Sequence, residues 1–319
     1  MNRNLTPLKA DLMLVLVAFL WGSSYVVTKG SIDLVDPLEV IFFRFSLAAL
    51  LSLIFFGRHL KTRSGGEIKA GFILGALLSL GLVFALNGLK HTSVSKNSFI
   101  ISTNVVIVPF LYWALCKKKP TVMSLAAVCL MALGLGFLTL DFKGDFSVNK
   151  GDFISFVCVF FYAGHVVLTD TYSKKYDPVC VNTIAMITAA LSGAVFLLFT
   201  GGLRINLPGR IIGDMIYLAV FPTFLCYTLQ IKAQKHTNAT HAAIIISLES
   251  VFATLLAVFI LHEEITLQMV AGFVFIFVSV LTSELGDTIL EKLKEKIPDA
   301  GDSHTGGPGG KGSIRKVVK

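Results

Sequence analysis

Residues 90–119 read KHTSVSKNSFIISTNVVIVPFLYWALCKKK, and residues 235–264 read KHTNATHAAIIISLESVFATLLAVFILHEE. A shift of 145 positions superimposes the two stretches without a gap. It places Lys-His-Thr on Lys-His-Thr and the Ile-Ile-Ser of 100–102 on that of 245–247. Each stretch is a polar turn followed by an apolar run long enough to cross a bilayer. The chain therefore carries an internal repeat of a membrane-spanning unit.

A second shift, of 141 positions, extends the repeat toward the start of each half. Asp36-Pro37 falls on Asp177-Pro178, and the Ala-Ala-Leu of 48–50 falls on that of 189–191. Apolar runs match one another by chance, so the Asp-Pro pair and the Lys-His-Thr triplet carry most of the weight. Self-similarity over this length indicates duplication of a whole structural unit.

The composition is that of a membrane protein. Hydrophobic residues make up 54% of the chain, charged residues 15%, and the mean hydropathy is +0.75. A soluble domain carries about 25% charged residues and could not bury so much apolar surface. The sequence predicts an all-α integral membrane protein with ten transmembrane helices, at 11–29, 38–56, 70–89, 97–115, 121–140, 152–170, 178–199, 212–231, 239–261 and 266–284.

Five helices per repeat is an odd number, so the second copy must enter the membrane in the opposite orientation. The charges agree, because three lysines at 117–119 become His-Glu-Glu at 262–264 in the second copy. Lys and Arg are more frequent in the segments that are cytoplasmic if the N-terminus is cytoplasmic, as the positive-inside rule requires. The net charge of +8 is therefore interpreted as a topology signal and not as nucleic-acid binding.

These observations predict the layout of the chain and its location. We expect a plasma (bacterial inner) membrane protein with both termini in the cytoplasm. Residues 1–10 form the cytoplasmic N-terminus, and residues 285–319 form a cytoplasmic tail with an amphipathic helix before a disordered basic end. The two inverted five-helix repeats occupy 11–140 and 152–284.

Polar side chains share one helical face on three of the predicted helices. Inverted repeats are typical of alternating-access carriers, whose solute site lies where the repeats meet. The stripes are candidates for lining such a cavity, although interhelical hydrogen bonding is the alternative interpretation. They comprise Trp21, Ser24 and Thr28; their repeat partners Tyr162, His165 and Thr169; and Thr223, Tyr227 and Gln230.

Two charged residues are predicted within the membrane. Glu249 lies in the middle of the ninth helix, where an ionisable group is costly and suggests function, either by binding a solute amine or by taking up a proton. The alternative is a protonated or hydrogen-bonded Glu that only links helices. The repeat partner of Glu249 is Asn104, and Asn87 is a further polar candidate. Arg44, in the second helix, is expected either to extend to the membrane surface or to pair with an acid such as Glu39 or Glu249; binding of a solute carboxylate is the less favoured alternative.

No cofactor or metal site is predicted, since the sequence has no P-loop, dinucleotide fingerprint, GxSxG or metal-ligand cluster. The leading hypothesis is a secondary or facilitated carrier of a small solute. The alternatives are a polytopic membrane scaffold or receptor and, less favoured, a membrane-embedded enzyme. The expected partners are a small-molecule substrate and the bilayer, with a coupled proton and a homodimer both left open and no nucleic acid.

Several motifs resemble the EamA-type family of drug/metabolite transporters. In the first half these are Trp-Gly-Ser-Ser-Tyr at 21–25 and Arg-Phe at 44–45, and in the second half Ser-Leu-Glu-Ser-Val-Phe-Ala-Thr at 247–254. The resemblance implies ten helices in two inverted repeats and a cavity lined by helices one, three, four, six, eight and nine. It also implies movement of metabolites, amino acids or toxic compounds, often outward. Ser250 departs from it, because the family usually has proline there.

The inverted repeat leads to a prediction about topology. In a variant with its five native cysteines replaced by serine, Lys118→Cys is expected to resist a membrane-impermeant thiol reagent added to intact cells. Glu263→Cys is expected to react, because the two positions end equivalent helices of oppositely inserted copies. Reaction of both positions from the same side would contradict the inverted arrangement.

Overall fold

A computed structural model describes residues 6–139, 149–199, 209–261 and 267–296. Within these ranges the protein is helical and contains no β-strand. The helices form ten spans: α1 (Pro7–Ile32); α2 (Pro37–Phe56), followed by a 3₁₀ helix (Gly57–Thr62); α3 (Gly65–His91); α4 with α5 (Val94–Ser102 and Asn104–Cys116); α6 (Val122–Thr139); α7 (Lys150–Lys175); α8 (Pro178–Phe199); α9, a π-helical segment and α10 (Gly209–Ala219, Val220–Leu225 and Cys226–Gln234); α11 with α12 (Ala239–Ile246 and Leu248–Leu261); and α13 (Leu267–Lys296).

Each of the ten predicted segments corresponds to one span. Eight spans are long and apolar enough to cross a membrane by themselves, and the fifth and tenth contain shorter apolar stretches, Val122–Phe137 and Val270–Ser283. The tenth helix continues to Lys296, past its predicted end at residue 284. The rest of the predicted tail and the acidic turn at 262–264 lie outside the described residues. The placement of this turn on the opposite side of the membrane from the lysines at 117–119 therefore stays a prediction.

The residues that revealed the repeat form equivalent turns. Asp36 and Asp177 each accept a hydrogen bond from the backbone amide two residues later, at 2.9 and 3.0 Å, and each precedes the proline that begins a span. Proline suits the first position of a helix because the amide it lacks would have no partner there. The Asp-Pro pairs thus begin the second and seventh spans in the same way.

The two halves pack into each other. The most extensive contacts between spans join the fifth with the tenth, the third with the sixth, the second with the seventh and the first with the ninth, and each of these pairs takes one span from each half. We call the end of the molecule at which α1 begins the first face and the opposite end the second face. The core therefore lies between the halves.

Three spans are interrupted, and two of the interruptions are equivalent. The fourth span breaks at Thr103 and the ninth at Ser247, positions that the repeat aligns to within one residue. In both, the residue three positions later donates its amide to the carbonyl of the interrupting residue, at 3.0 and 3.2 Å. The interruption in the ninth span contains no proline, and Ser250 stands at the position where the EamA-type family usually has one.

The first and ninth spans approach closely at Gly22. A Cβ atom added there would lie 2.6 Å from Phe252 Cβ and 2.7 Å from the Glu249 carbonyl oxygen. Only glycine lets the two backbones pack at this separation, in the manner of small residues at membrane helix interfaces.

Replacing Gly22 with alanine is therefore expected to destabilise the protein. Overpacking of this kind costs about 1–3 kcal/mol, and it should appear as a lower melting temperature of the purified protein in detergent. Gly30→Ala, on the same helix, is the matched control, because a Cβ at Gly30 meets no atom within 4 Å. Equal melting temperatures for the two variants would contradict the close packing.

Candidate functional site

A cavity lies between the two halves and extends from the middle of the spans toward the second face. It contains about 690 Å³ of empty space, including its open part. Seven spans contribute to its wall, which is formed by Trp21, Ser24, Tyr25, Thr28, Arg44, Leu78, Leu82, Ala85, Leu86, Leu89, Asn97, Ile101, Asn104, Tyr162, His165, Val166, Tyr227, Ile246 and Glu249.

The interrupted fourth and ninth spans meet at the middle of this cavity. Ser102, the last residue of α4, shares a 2.5 Å hydrogen bond with Ser250 of α12, and Ser250 also donates to the Ser98 carbonyl at 2.9 Å. Both interruptions are short, since Thr103 and Ser247 keep helical backbone angles. The first residues after the breaks include Asn104 and Glu249, which are repeat partners and both line the cavity.

Glu249 is 5% exposed and is only loosely held by the protein. Its Oε1 atom accepts a hydrogen bond from Tyr25 at 3.4 Å, a long distance for such a bond. It also lies 3.5 Å from the hydroxyl of Ser102, whose proton is used in the shorter bond to Ser250. Its other carboxylate oxygen has no hydrogen-bond partner among the described residues. The carboxylate can therefore still accept hydrogen bonds from a molecule in the cavity.

Arg44 is 3% exposed, so its positively charged guanidinium is buried. Its Nε atom donates to Thr223 Oγ1 at 2.5 Å, and its Nη2 atom donates to the Pro222 carbonyl at 3.4 Å. Among the described residues no carboxylate forms an ion pair with it. The side chain is buried, so the expected extension to the membrane surface does not occur, and the expected pair with Glu249 is not formed.

Aromatic rings line the same cavity as Arg44 and Glu249. The Trp21 ring lies 5.2 Å from that of Tyr227, and the His165 ring lies 5.7 Å from Tyr227 on another side. Trp21 also donates through Nε1 to the Pro222 carbonyl at 2.7 Å, which fixes the plane of the indole. Asn97 also belongs to the wall, and its buried Oδ1 atom has no partner in the described structure.

The structure brings most of the sequence-predicted residues together at the cavity and places four of them elsewhere. Thr223 lies behind Arg44, and Asn87 donates to the carbonyl of Val83 in its own helix at 2.8 Å. Thr169 and Gln230 are buried away from the cavity, as interhelical packing residues would be. The residues at the cavity are Trp21, Ser24, Thr28, Arg44, Asn104, Tyr162, His165, Tyr227 and Glu249.

Two parts of the wall were not predicted from the sequence. Tyr25 lies four residues after Trp21, so helical spacing already places it on the same face as the stripe. The apolar wall from the third span carries no polar residue that would mark it, although its members recur at the spacing of one helical face: Leu78, Leu82, Ala85, Leu86 and Leu89.

Comparison with known proteins identifies the family. The EamA-like transporter family matches this chain twice, over residues 8–140 and 149–284. The chain belongs to that family. Each match covers five spans, which confirms the predicted fold of two five-helix repeats.

Individual relatives agree with this assignment. A protein of Archaeoglobus fulgidus named an uncharacterized transporter is 31% identical over 277 residues, covering 86% of each chain. The uncharacterized transporter YvbV of Bacillus subtilis is 22% identical and covers 87% of this chain and 92% of its own. One crystal structure superposes with a TM-score of 0.73 at 15% identity, over 88% of this chain and 98% of the other, and shows the same fold.

These findings make the protein a multi-pass membrane protein of a transporter family. The family and the named relatives are transporters and not enzymes. A small-molecule substrate and the lipid bilayer are accordingly its partners.

Proposed function

We propose that this protein is a secondary or facilitated transporter that moves a small metabolite, amino acid or drug-like solute across the plasma membrane by alternating access, in the direction of export. The observation that carries the proposal is the presence of two buried ionisable side chains, Glu249 and Arg44, in one cavity at the junction of the repeats. Buried charges cost several kcal/mol unless something compensates them. Glu249 and Arg44 are compensated incompletely by the protein, so a bound solute completes their interactions.

Among these solutes the chemistry of the wall favours a zwitterion with an apolar body. A carboxylate could accept hydrogen bonds from the Arg44 guanidinium, as arginine commonly binds carboxylates in proteins. An ammonium group could donate to Glu249. The Leu and Ala side chains of the third span and the surrounding rings would then cover the rest of the molecule. An amino acid with an aliphatic or aromatic side chain has this form.

Contacts between the halves support alternating access. The cavity extends toward the second face, and polar contacts tie one half to the other at both faces. On the second face Thr92 donates to Asp152 at 2.6 Å and Ser31 donates to Asp214 at 3.3 Å.

The first face has further contacts of this kind. His59 bonds Asp177 at 2.6 Å, the Asp177 amide donates to Glu67 at 3.2 Å, and His241 bonds Asp11 at 3.2 Å. Such surface contacts are individually weak and reversible. Opening of the first face would break them and would let the same cavity face the other compartment.

If Glu249 serves the transport cycle, Glu249→Gln should abolish transport or change it strongly while expression and membrane insertion stay normal. The substitution keeps the size of the side chain and removes its charge. Transport would be measured as efflux of a labelled solute from cells, over a range of external pH values. Asp33→Asn is the control, since Asp33 is exposed at the end of α1. Wild-type rates with an unchanged pH profile would remove Glu249 from the mechanism.

The zwitterion proposal predicts how three matched probes bind. Purified protein should bind leucine more tightly than isoamylamine, which lacks the carboxylate, and more tightly than 4-methylpentanoate, which lacks the ammonium group. Loss of one charge-assisted hydrogen bond costs about 1.5–3 kcal/mol, or roughly 10- to 100-fold in affinity. Arg44→Gln should lower the affinity for leucine toward that for isoamylamine and leave isoamylamine unaffected.

Calorimetric titration of each probe would measure these affinities. Equal affinities for leucine and isoamylamine in the wild-type protein, or no binding of any probe, would exclude this solute class. That result would leave the transporter assignment intact.

A further inference from the structure

We propose that the π-helical segment Val220–Leu225 of the eighth span, which we call the π-turn, positions the guanidinium of the cavity, and that Thr223 is the positioning residue. In this role Thr223 determines how strongly the protein selects solutes that bear a carboxylate, although it does not touch the solute itself. The inference rests on the proposed function for its solute chemistry. Its structural basis is independent of any solute.

The geometry begins with Pro222. In an α-helix the amide of residue 222 would donate to the carbonyl of Leu218, but proline has no amide proton. The Thr223 hydroxyl takes its place and donates to the Leu218 carbonyl at 2.6 Å. A helix in lipid must satisfy such carbonyls internally, so the direction of the Thr223 hydroxyl proton is set by the backbone.

This direction fixes what Thr223 offers to Arg44. A hydroxyl has one proton and two lone pairs. Because the proton is used on Leu218, the side of the oxygen that faces the second span can only accept a hydrogen bond, and Arg44 Nε donates to it at 2.5 Å. Thr223 is thus a fixed acceptor for a cation.

The π-turn exposes a second acceptor beside the first. An α-helix would pair the Pro222 carbonyl with the amide of Cys226, but that amide bonds the carbonyls of Phe221 and Thr223 instead. The Pro222 carbonyl accepts from Trp21 Nε1 at 2.7 Å and from Arg44 Nη2 at 3.4 Å. Segments of this kind often occur at functional sites because they redirect backbone groups.

Together the two acceptors hold one edge of the guanidinium and leave the other edge available. Nε and Nη2 are occupied, whereas Nη1 donates to no residue in the described part of the chain. Both acceptors are neutral, so they orient the cation without cancelling its charge. This arrangement keeps the guanidinium of Arg44 at the cavity wall, apart from Glu249, with an open donor for an anionic group.

Thr223→Val tests the inference because valine keeps the shape of threonine and removes its oxygen. We expect the affinity for leucine to fall about 10-fold, the effect of one hydrogen bond to a charged group, while the affinity for isoamylamine is unchanged. Thr223→Ser keeps the hydroxyl and should restore the selectivity for leucine. Thr183→Val is the matched control: Thr183 is also buried and donates to its own helix at 2.8 Å, but it lies far from Arg44 in the seventh span.

A second measurement needs no solute. Melting temperatures of the wild-type protein, Thr223→Val, Arg44→Gln and the double variant form a double-mutant cycle. The loss of the Leu218 hydrogen bond is common to both Thr223→Val steps and cancels. A smaller effect of Thr223→Val in the Arg44→Gln background is expected.

The outcomes separate the two proposals. Unchanged leucine selectivity in Thr223→Val, with a loss in Arg44→Gln, would overturn the positioning role and keep the zwitterion site. Equal effects of Thr223→Val in both backgrounds of the cycle would overturn the positioning role whether or not leucine binds. Failure of Arg44→Gln to alter leucine binding, with coupling present in the cycle, would overturn the solute class and the selectivity assigned to Thr223 and leave only the structural contact.

Discussion

The interior of a bilayer offers no water to satisfy backbone amides and carbonyls, and this constraint governs the whole molecule. It forces the chain into helices and confines irregular backbone to places enclosed by protein. The interruptions at Thr103 and Ser247 and the π-turn all follow this rule, because each lies beside the central cavity. At the π-turn the carbonyls of Leu218 and Pro222 find side-chain donors in Thr223, Trp21 and Arg44. The helices are therefore irregular near the cavity for the same reason that the cavity can form there: lipid does not reach these positions.

The two repeats share the arrangement of their helices but differ in the side chains that they place at the cavity. The equivalent breaks in the fourth and ninth spans bring repeat partners to the cavity, but the partners differ, with Asn104 on one side and Glu249 on the other. Trp21 corresponds to Tyr162 in the same way. The frame is nearly two-fold symmetric, and its pocket is not. An asymmetric solute can therefore bind in one preferred direction.

Much of the fold could be predicted from the sequence, because hydropathy determines spans and the Asp-Pro pairs mark where two of them begin. The polar stripe on the first span also predicted part of the cavity wall. The π-turn could not be predicted in this way, since a proline removes one amide donor but does not specify how the helix around it rearranges. For the same reason Thr223 was expected on the wall and lies behind it. The environment of Arg44 depends on contacts between residues that are far apart in the chain, and periodicity does not report such contacts.

Gly22 has a consequence for how the molecule moves. Its missing side chain lets the first span rest against the backbone of Glu249, while Tyr25 of the same span bonds the Glu249 carboxylate. Glu249 thus lies in the sequence of the second repeat, but it packs against the first span of the first repeat. Any rearrangement that preserves this fit carries the acid along with the first span. At Gly22 the boundary between the two copies is therefore a place of close packing, where a side chain of one copy depends on the other copy for its position.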